Sequence, residues 1–196
     1  ACMRADPVSA RMLLAAGANA NAVDANGLLP LDRLAMRYRT DLSEGDLQTL
    51  EAVRKAGGRM NLSAAAALGL LDEVVRQLDA NPAAIHSIPP TTDPGWTPLH
   101  WAAVAGQTEV CRELIRRGAR VNAFAAGNGT PLHASMIRQH ARPETAQLLI
   151  ESGANLNVVH AHTGLTPLHT AAQYGWSDIV RVILARGADP NIKTHN

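Results

Sequence analysis

Aromatic side chains are nearly missing from this sequence. Three Trp, two Tyr and one Phe make up 3% of 196 residues. β-Sandwiches and barrels rest on branched and aromatic side chains, so the scarcity argues against them. An excess of one charge is missing too: 18 Lys and Arg stand against 17 Asp and Glu, for a net charge of +1. A general nucleic-acid binder carries a strong basic surplus, and a disordered chain a strong imbalance, so both classes are disfavoured. Long apolar runs are absent. The longest, Ala64–Leu71, is interrupted by Gly69 and falls far short of a bilayer span. No secretory signal or transit peptide pattern is visible. The two cysteines, Cys2 and Cys111, form neither a disulfide framework nor a zinc spacing. A reducing compartment, the cytoplasm, is the expectation, with export as an effector or to the periplasm left open.

What is abundant is alanine, which fills 35 positions of the 46% hydrophobic share. A core of Ala and Leu suits close-packed helices. The length fits one domain, or at most two, and is enough to bury a sizeable core.

Internal repeats decide the fold class. The tetrapeptide Thr-Pro-Leu-His occurs at 97–100, 130–133 and 166–169, with spacings of 33 and 36. A second marker follows each: Gly118-Ala119-Arg120-Val121-Asn122, Gly153-Ala154-Asn155-Leu156-Asn157 and Gly187-Ala188-Asp189-Pro190-Asn191. It also occurs earlier as Gly17-Ala18-Asn19-Ala20-Asn21 and, degraded, as Gly57-Gly58-Arg59-Met60-Asn61. Thr is a good N-cap and Pro fits the first helical position. His then falls at the third position, where a capping-box partner reaches back to the cap. The pairs Thr97/His100, Thr130/His133 and Thr166/His169 are therefore read as structural capping. Glycine stops a helix in the left-handed conformation, and the Asn after it suits a local turn. Between the markers lie two helical segments split by a glycine, with Val110, Cys111, Leu114 and Ile115 on one face of the second. Such a unit is too small to bury its own face and must stack on neighbours.

These residues resemble the ankyrin repeat, whose pattern is D-x-x-G-x-T-P-L-H-x-A-A-x-x-G, a second helix, then G-A-x-x-N. The resemblance implies an all-α solenoid of two antiparallel helices per unit, with a β-hairpin projecting at roughly a right angle. About six units are expected in one domain over 1–196, at 1–22, 23–60, 61–91, 92–124, 125–158 and 159–196. The second unit reads Leu29-Pro30-Leu31-Asp32, replacing both capping Thr and His, and holds a seven-residue insertion placed near Arg39–Gly45. The fifth holds a two-residue insertion around His140–Pro143. The third lacks the tetrapeptide and is followed by an irregular connection over Ser87–Pro94. Counting back from Gly17 puts Ala1 inside the first unit's first helix, and Asn191–Asn196 begins a hairpin. Either the terminal units are degenerate caps, or the chain is a piece of a longer one; the second is the expectation.

The resemblance implies binding of a protein partner through the concave face and hairpin tips, with no catalysis and no cofactor. The family's variable positions fall on Asp93, Pro94, Trp96, Val104 and Ala105 in the fourth unit, and on Gly127, Gly129, Ile137 and Arg138 in the fifth, where Asn128, also an expected contact, stands in place of the hairpin glycine. In the sixth they are His162, Leu165, Gln173 and Tyr174, and in the second Ala25, Asn26, Leu28, Met36 and Arg37. Trp96 and Tyr174 are the strongest candidates, since large aromatics dominate interface hot spots. The bland alternative for Trp96 is packing on the next hairpin. Trp101 is expected between repeats, and Trp176 fits either place.

Other chemistry is weaker. His100, His133 and His169 sit about one repeat apart, too far to share a zinc ion. His160 and His162 flank a hairpin tip without a carboxylate or Cys to complete a site, so no metal is expected. Ser135 and Cys111 lack a base and an oxyanion arrangement. Arg112, Arg116, Arg117 and Arg120 cluster, but Glu109 and Glu113 lie three or four residues before them and read as local neutralisation. Neither a nucleic acid nor a membrane is an expected partner, and a monomer is favoured. The second functional reading is a regulatory or targeting segment of a larger enzyme or secreted effector.

Overall fold

Where Thr-Pro-Leu-His occurs, a helix starts at the proline, and the chain repeats that start at unit intervals. The computed structural model describes residues 7–35, 43–89, 95–125, 129–136 and 142–194. Among them are eleven α-helices. They are α1 (Pro7–Ala15), α2 (Pro30–Ala35), α3 (Glu44–Lys55), α4 (Leu62–Ala67), α5 (Leu71–Ala80), α6 (Pro98–Val104), α7 (Thr108–Arg116), α8 (Pro131–Met136), α9 (Pro143–Glu151), α10 (Pro167–Gln173) and α11 (Ser177–Ala185). A short 3-10 turn spans Pro82–His86.

The helices fall into two rows. The short helices α2, α4, α6, α8 and α10 pack on one another in order and form the inner row. The helices α5, α7, α9 and α11 likewise pack in order as the outer row, and α1 packs on α3. Small side chains explain how closely the inner row approaches: every residue of α4 is buried, and Ala64, Ala65, Ala66, Ala102 and Ala171 are 0% exposed. The result is an all-α stack.

Two glycines fix the unit's turns. Gly118 ends α7 at φ 94, and its N–H donates to Ile115 O at 2.9 Å while Ala119 N–H donates to Leu114 O at 2.9 Å. That paired closure is the Schellman stop, which needs a left-handed residue. Gly106 turns α6 into α7 at φ 67, and a Cβ there would meet Arg142 Cγ at 3.2 Å. The next unit thus covers the turn of the one before it.

The asparagine ending each marker does more than the local turn expected of it. Asn122 Nδ2 donates to Gly153 O at 3.0 Å, and its Oδ1 accepts from Asn155 N–H at 2.7 Å, one unit further on. Asn21 makes the same pair with Gly57 O and Arg59 N–H. Asn157 Oδ1 accepts from Asp189 N–H at 2.9 Å. The local turns belong to the residue two positions earlier, where Asn19, Asn155 and Asp189 accept from the backbone. Asn61 departs from the series and caps α4, accepting from Ala64 N–H at 2.8 Å. Asn122→Ala removes two inter-unit hydrogen bonds and is expected to cost about 1–2 kcal/mol. The urea midpoint of the purified variant measures it.

Expected hairpins are present only as tight turns. Ala125 and Gly129 exchange backbone hydrogen bonds at 2.9 and 3.2 Å as an isolated antiparallel bridge, and no strand forms among the described residues. One bridging pair with no neighbouring strand cannot propagate a ladder. Part of the second unit's insertion, Ser43–Gly45, lies at the start of α3, which runs 12 residues against 9 for α7. Ser43 and Asp46 form its capping box. The remainder of that insertion, half of the fifth unit's, and Pro90–Pro94 lie outside the described residues.

Candidate partner-binding face

The caps position everything else. Thr97 N–H donates to His100 Nδ1 at 3.2 Å, Thr130 N–H to His133 Nδ1 at 3.3 Å, and Thr166 N–H to His169 Nδ1 at 3.4 Å. In each pair the Thr hydroxyl lies 2.8–3.0 Å from the same nitrogen. Because Nδ1 accepts, the ring proton sits on Nε2. His100 then reaches the next unit, with Nε2 at 3.4 Å from Gly129 O. Asp32 replaces the histidine in the second unit and does both tasks. Its Oδ2 accepts from Leu29 N–H at 3.2 Å and its Oδ1 from Asn61 N–H at 2.8 Å. The changed tetrapeptide thus keeps a cap and an inter-unit tie. Burial raises the Asp32 carboxyl above its ordinary value. Burial also pushes His100 and His133 down to about 4, so both are neutral at pH 7.

The expected contact residues divide sharply. Tyr174 (40% exposed), Gln173 and His162 lie on the surface of the sixth unit, and Leu165 is half-buried. Tyr174 sits at the end of α10 with its ring 5.9 Å from that of Trp176. Ala25 and Asn26 are exposed, but Leu28 is buried. Trp96 is only 2% exposed and Val104 5%, so neither offers its side chain to a partner. The physical reason lies in the cap. Trp96 precedes the N-cap Thr97, and its ring meets Trp101 edge-on at 4.9 Å and stacks on His100 at 5.9 Å. A hydrophobic residue before the cap packing on the fourth helical residue is the hydrophobic staple. The corresponding staple in the sixth unit would join Leu165 to Thr170, which leaves Leu165 partly open. Asp93, Asn128, Ile137, Arg138, Met36 and Arg37 lie outside the described residues.

Phe124 is an exposed residue that the sequence reading missed. It is the chain's single phenylalanine and is 56% exposed. Val23 holds the same place, two residues after the inter-unit Asn, at 63% exposure. The signal was present in the repeat register: Asn21-Ala22-Val23 aligns with Asn122-Ala123-Phe124 and Asn157-Val158-Val159.

The remaining candidates are accounted for by local bonding. Arg116 and Arg117 donate to Glu113 at 2.6–2.7 Å, which holds its carboxyl at about 2. Arg117 also pairs with Asp79 of α5 at 2.6 Å, and Arg112 with Glu109 at 3.4 Å. Ser135 donates its hydroxyl to Leu132 O at 2.7 Å. The Cys111 thiol is fully buried and pushed up to about 12, so it stays protonated and unreactive. Among the described residues no group of three or more His, Cys, Asp or Glu is placed to hold a metal, and no helix is long and apolar enough to cross a membrane.

A family model described as ankyrin repeats (3 copies) matches residues 43–125, 62–160 and 125–194. The chain is 30% identical over 182 residues to Ankyrin repeat protein nuc-2 of Neurospora crassa, covering 91% of this chain and 16% of that protein. It is 35% identical over 100 residues to Ankyrin repeat and SOCS box protein 16 of Homo sapiens, covering 51% of this chain and 22% of that protein. It is 41% identical over 58 residues to 2-5A-dependent ribonuclease of Homo sapiens, covering 30% of this chain and 8% of that protein. The chain therefore spans less than a quarter of each relative's length.

Proposed function

Since this chain belongs to the ankyrin-repeat family, whose arrays are generally protein–protein interaction modules, we propose that it binds a protein partner without chemistry of its own, as a single domain and a monomer. The contact surface is the inner helical row together with the turn tips, with Tyr174, Gln173, His162 and Leu165 in the sixth unit and Phe124 at the tip beside the fifth. The carrying observation is the exposure of Tyr174 and Phe124 in a chain with so few aromatics, while Trp96 and Trp101 are buried. Large aromatic side chains gather much of the energy of an interface, and these two reach solvent rather than the core.

Wild type and a Phe124→Ala, Tyr174→Ala double variant are compared in affinity capture from source-cell lysate, read by mass spectrometry. Both residues are exposed, so the variant should unfold within about 0.5–1 kcal/mol of wild type. A partner held by wild type and lost by the folded variant supports this surface. A partner held equally by both removes it. A second reading makes the array the regulatory or targeting segment of a larger enzyme or secreted effector. The similarity to a stretch of a ribonuclease favours it, and a catalytic region in the same reading frame would establish it.

A further inference from the structure

The turn that opens the sixth unit is organised by different chemistry from that of the second. In the second unit a carboxylate organises the turn: Asp24 Oδ1 accepts from Asn26 N–H at 2.8 Å and from Leu28 N–H at 3.1 Å. In the sixth unit His160 takes that place, and its Nδ1 accepts from His162 N–H at 3.3 Å and Thr163 N–H at 3.2 Å. A carboxylate keeps its lone pairs down to about pH 4, whereas an imidazole surrenders its only one near neutrality. Once protonated, Nδ1 carries a hydrogen and confronts two backbone donors.

The neighbours of His160 do nothing to absorb the charge. The His133 ring of α8 lies 5.5 Å away and the His162 ring 6.2 Å away. The titratable groups acting on these rings are the rings themselves, His160 on His133 and His162 on His160. Across the junction, the buried His133 Nε2 faces the Leu165 and Val158 carbonyls, which favour its protonated form from beyond the length of a formed hydrogen bond. The equivalent reach from His100 does close, on Gly129 O. The reach from His133 is thus looser than that from His100, and three imidazoles meet at this junction, with His160 standing where the second unit has Asp24.

We propose that the turn at 158–165 is a proton-operated joint: uptake of a proton by His160, beside His133 and His162, opens the turn and loosens the α10–α11 pair from α8–α9 while the preceding units stay closed. Burial first, then the His162 charge, hold His160 below its ordinary value, so opening sets in below the pH at which a free imidazole takes up its proton. The joint stands whether or not this turn also contacts a partner.

Amide hydrogen exchange of the whole chain tests it, at about pH 7.5 and about pH 5.8 and corrected for intrinsic rates. Wild type should lose about tenfold or more in protection over residues 158–165 and α11 beyond whatever loss α4, α6 and α7 share. His160→Asn supplies an acceptor at either pH, as Asn19 and Asn155 do in their turns, and should abolish the local loss. An equal loss in the variant, a loss spread evenly over all units, or none in wild type would overturn the joint. If the variant does not fold, an NMR titration of wild type decides. The His160 ring and the His162 and Thr163 amides must then titrate together; separate transitions reject the coupling.

Discussion

Trp101→Ala is expected to cost about 3–5 kcal/mol, the range for removing a buried aromatic side chain. Trp101 is 1% exposed, and it lies on α6, between α4 and α8 of the inner row. Its ring also carries the staple with Trp96 at 4.9 Å. Truncation therefore opens a cavity at the helix that joins both halves of the array and frees the cap-side tryptophan at the same time. For a chain of this size each kcal/mol moves Tm by roughly 2–4 °C, so a fall of about 6–20 °C should follow. Scanning calorimetry of Trp101→Ala beside Tyr174→Ala gives the contrast, since Tyr174 is 40% exposed. A Trp101 variant that melts within about 2 °C of wild type would show that α6 is not the packing centre.

Acidification is expected to unfold the protein from the middle of the histidine range downward. Burial holds His100 and His133 at about 4 in the folded chain, against about 6.5 when unfolded. Between those values the unfolded chain binds protons that the folded chain refuses. The stability tied to each group is complete above about pH 6.5 and is lost as pH falls towards 4. At about pH 5 each histidine should take about 2 kcal/mol, or about 4 kcal/mol together, a large part of a typical domain's stability. Asp32 works the other way, because burial raises its folded carboxyl and acid favours that group's folded form. Urea midpoints at about pH 7.5 and about pH 5 measure the loss in wild type. The double variant His100→Gln, His133→Gln keeps an acceptor at the third helical position and removes both titrations. Its midpoint should change far less with pH; an undiminished dependence would move the acid sensitivity elsewhere.

Trp96 shows a choice that the sequence left open, between a partner contact and packing on the next hairpin, and its ring packs on its own helix start instead. The family register marked it as a variable, partner-facing position, and its chemistry suited a hot spot. Yet the residue before an N-cap faces the fourth helical residue whenever that residue is large, and here that is Trp101. The cap motif therefore names Trp101 as the packing partner, where the sequence reading had offered the next hairpin. Phe124 was missed for another reason. The register does mark its place, since Val23 is exposed at the equivalent position, but that place is not among the family's variable contact positions.

The histidine of each tetrapeptide was legible because its partner, the capping Thr, lies three residues away on the same helix start. The same is true of the glycine stops, which close on carbonyls of the turn just completed. Repeat spacing then implied stacking, since no unit can cover its own apolar face. These features depend on near neighbours at fixed separations, and one sequence contains all of them. Tertiary structure decided what depends on the next unit: the reach of Asn122 to Gly153 and the tie from His100 to Gly129. Those partners lie about a repeat away, and insertions shift the register between them. A side chain's exposure is set by what stacks upon it, which local spacing does not record.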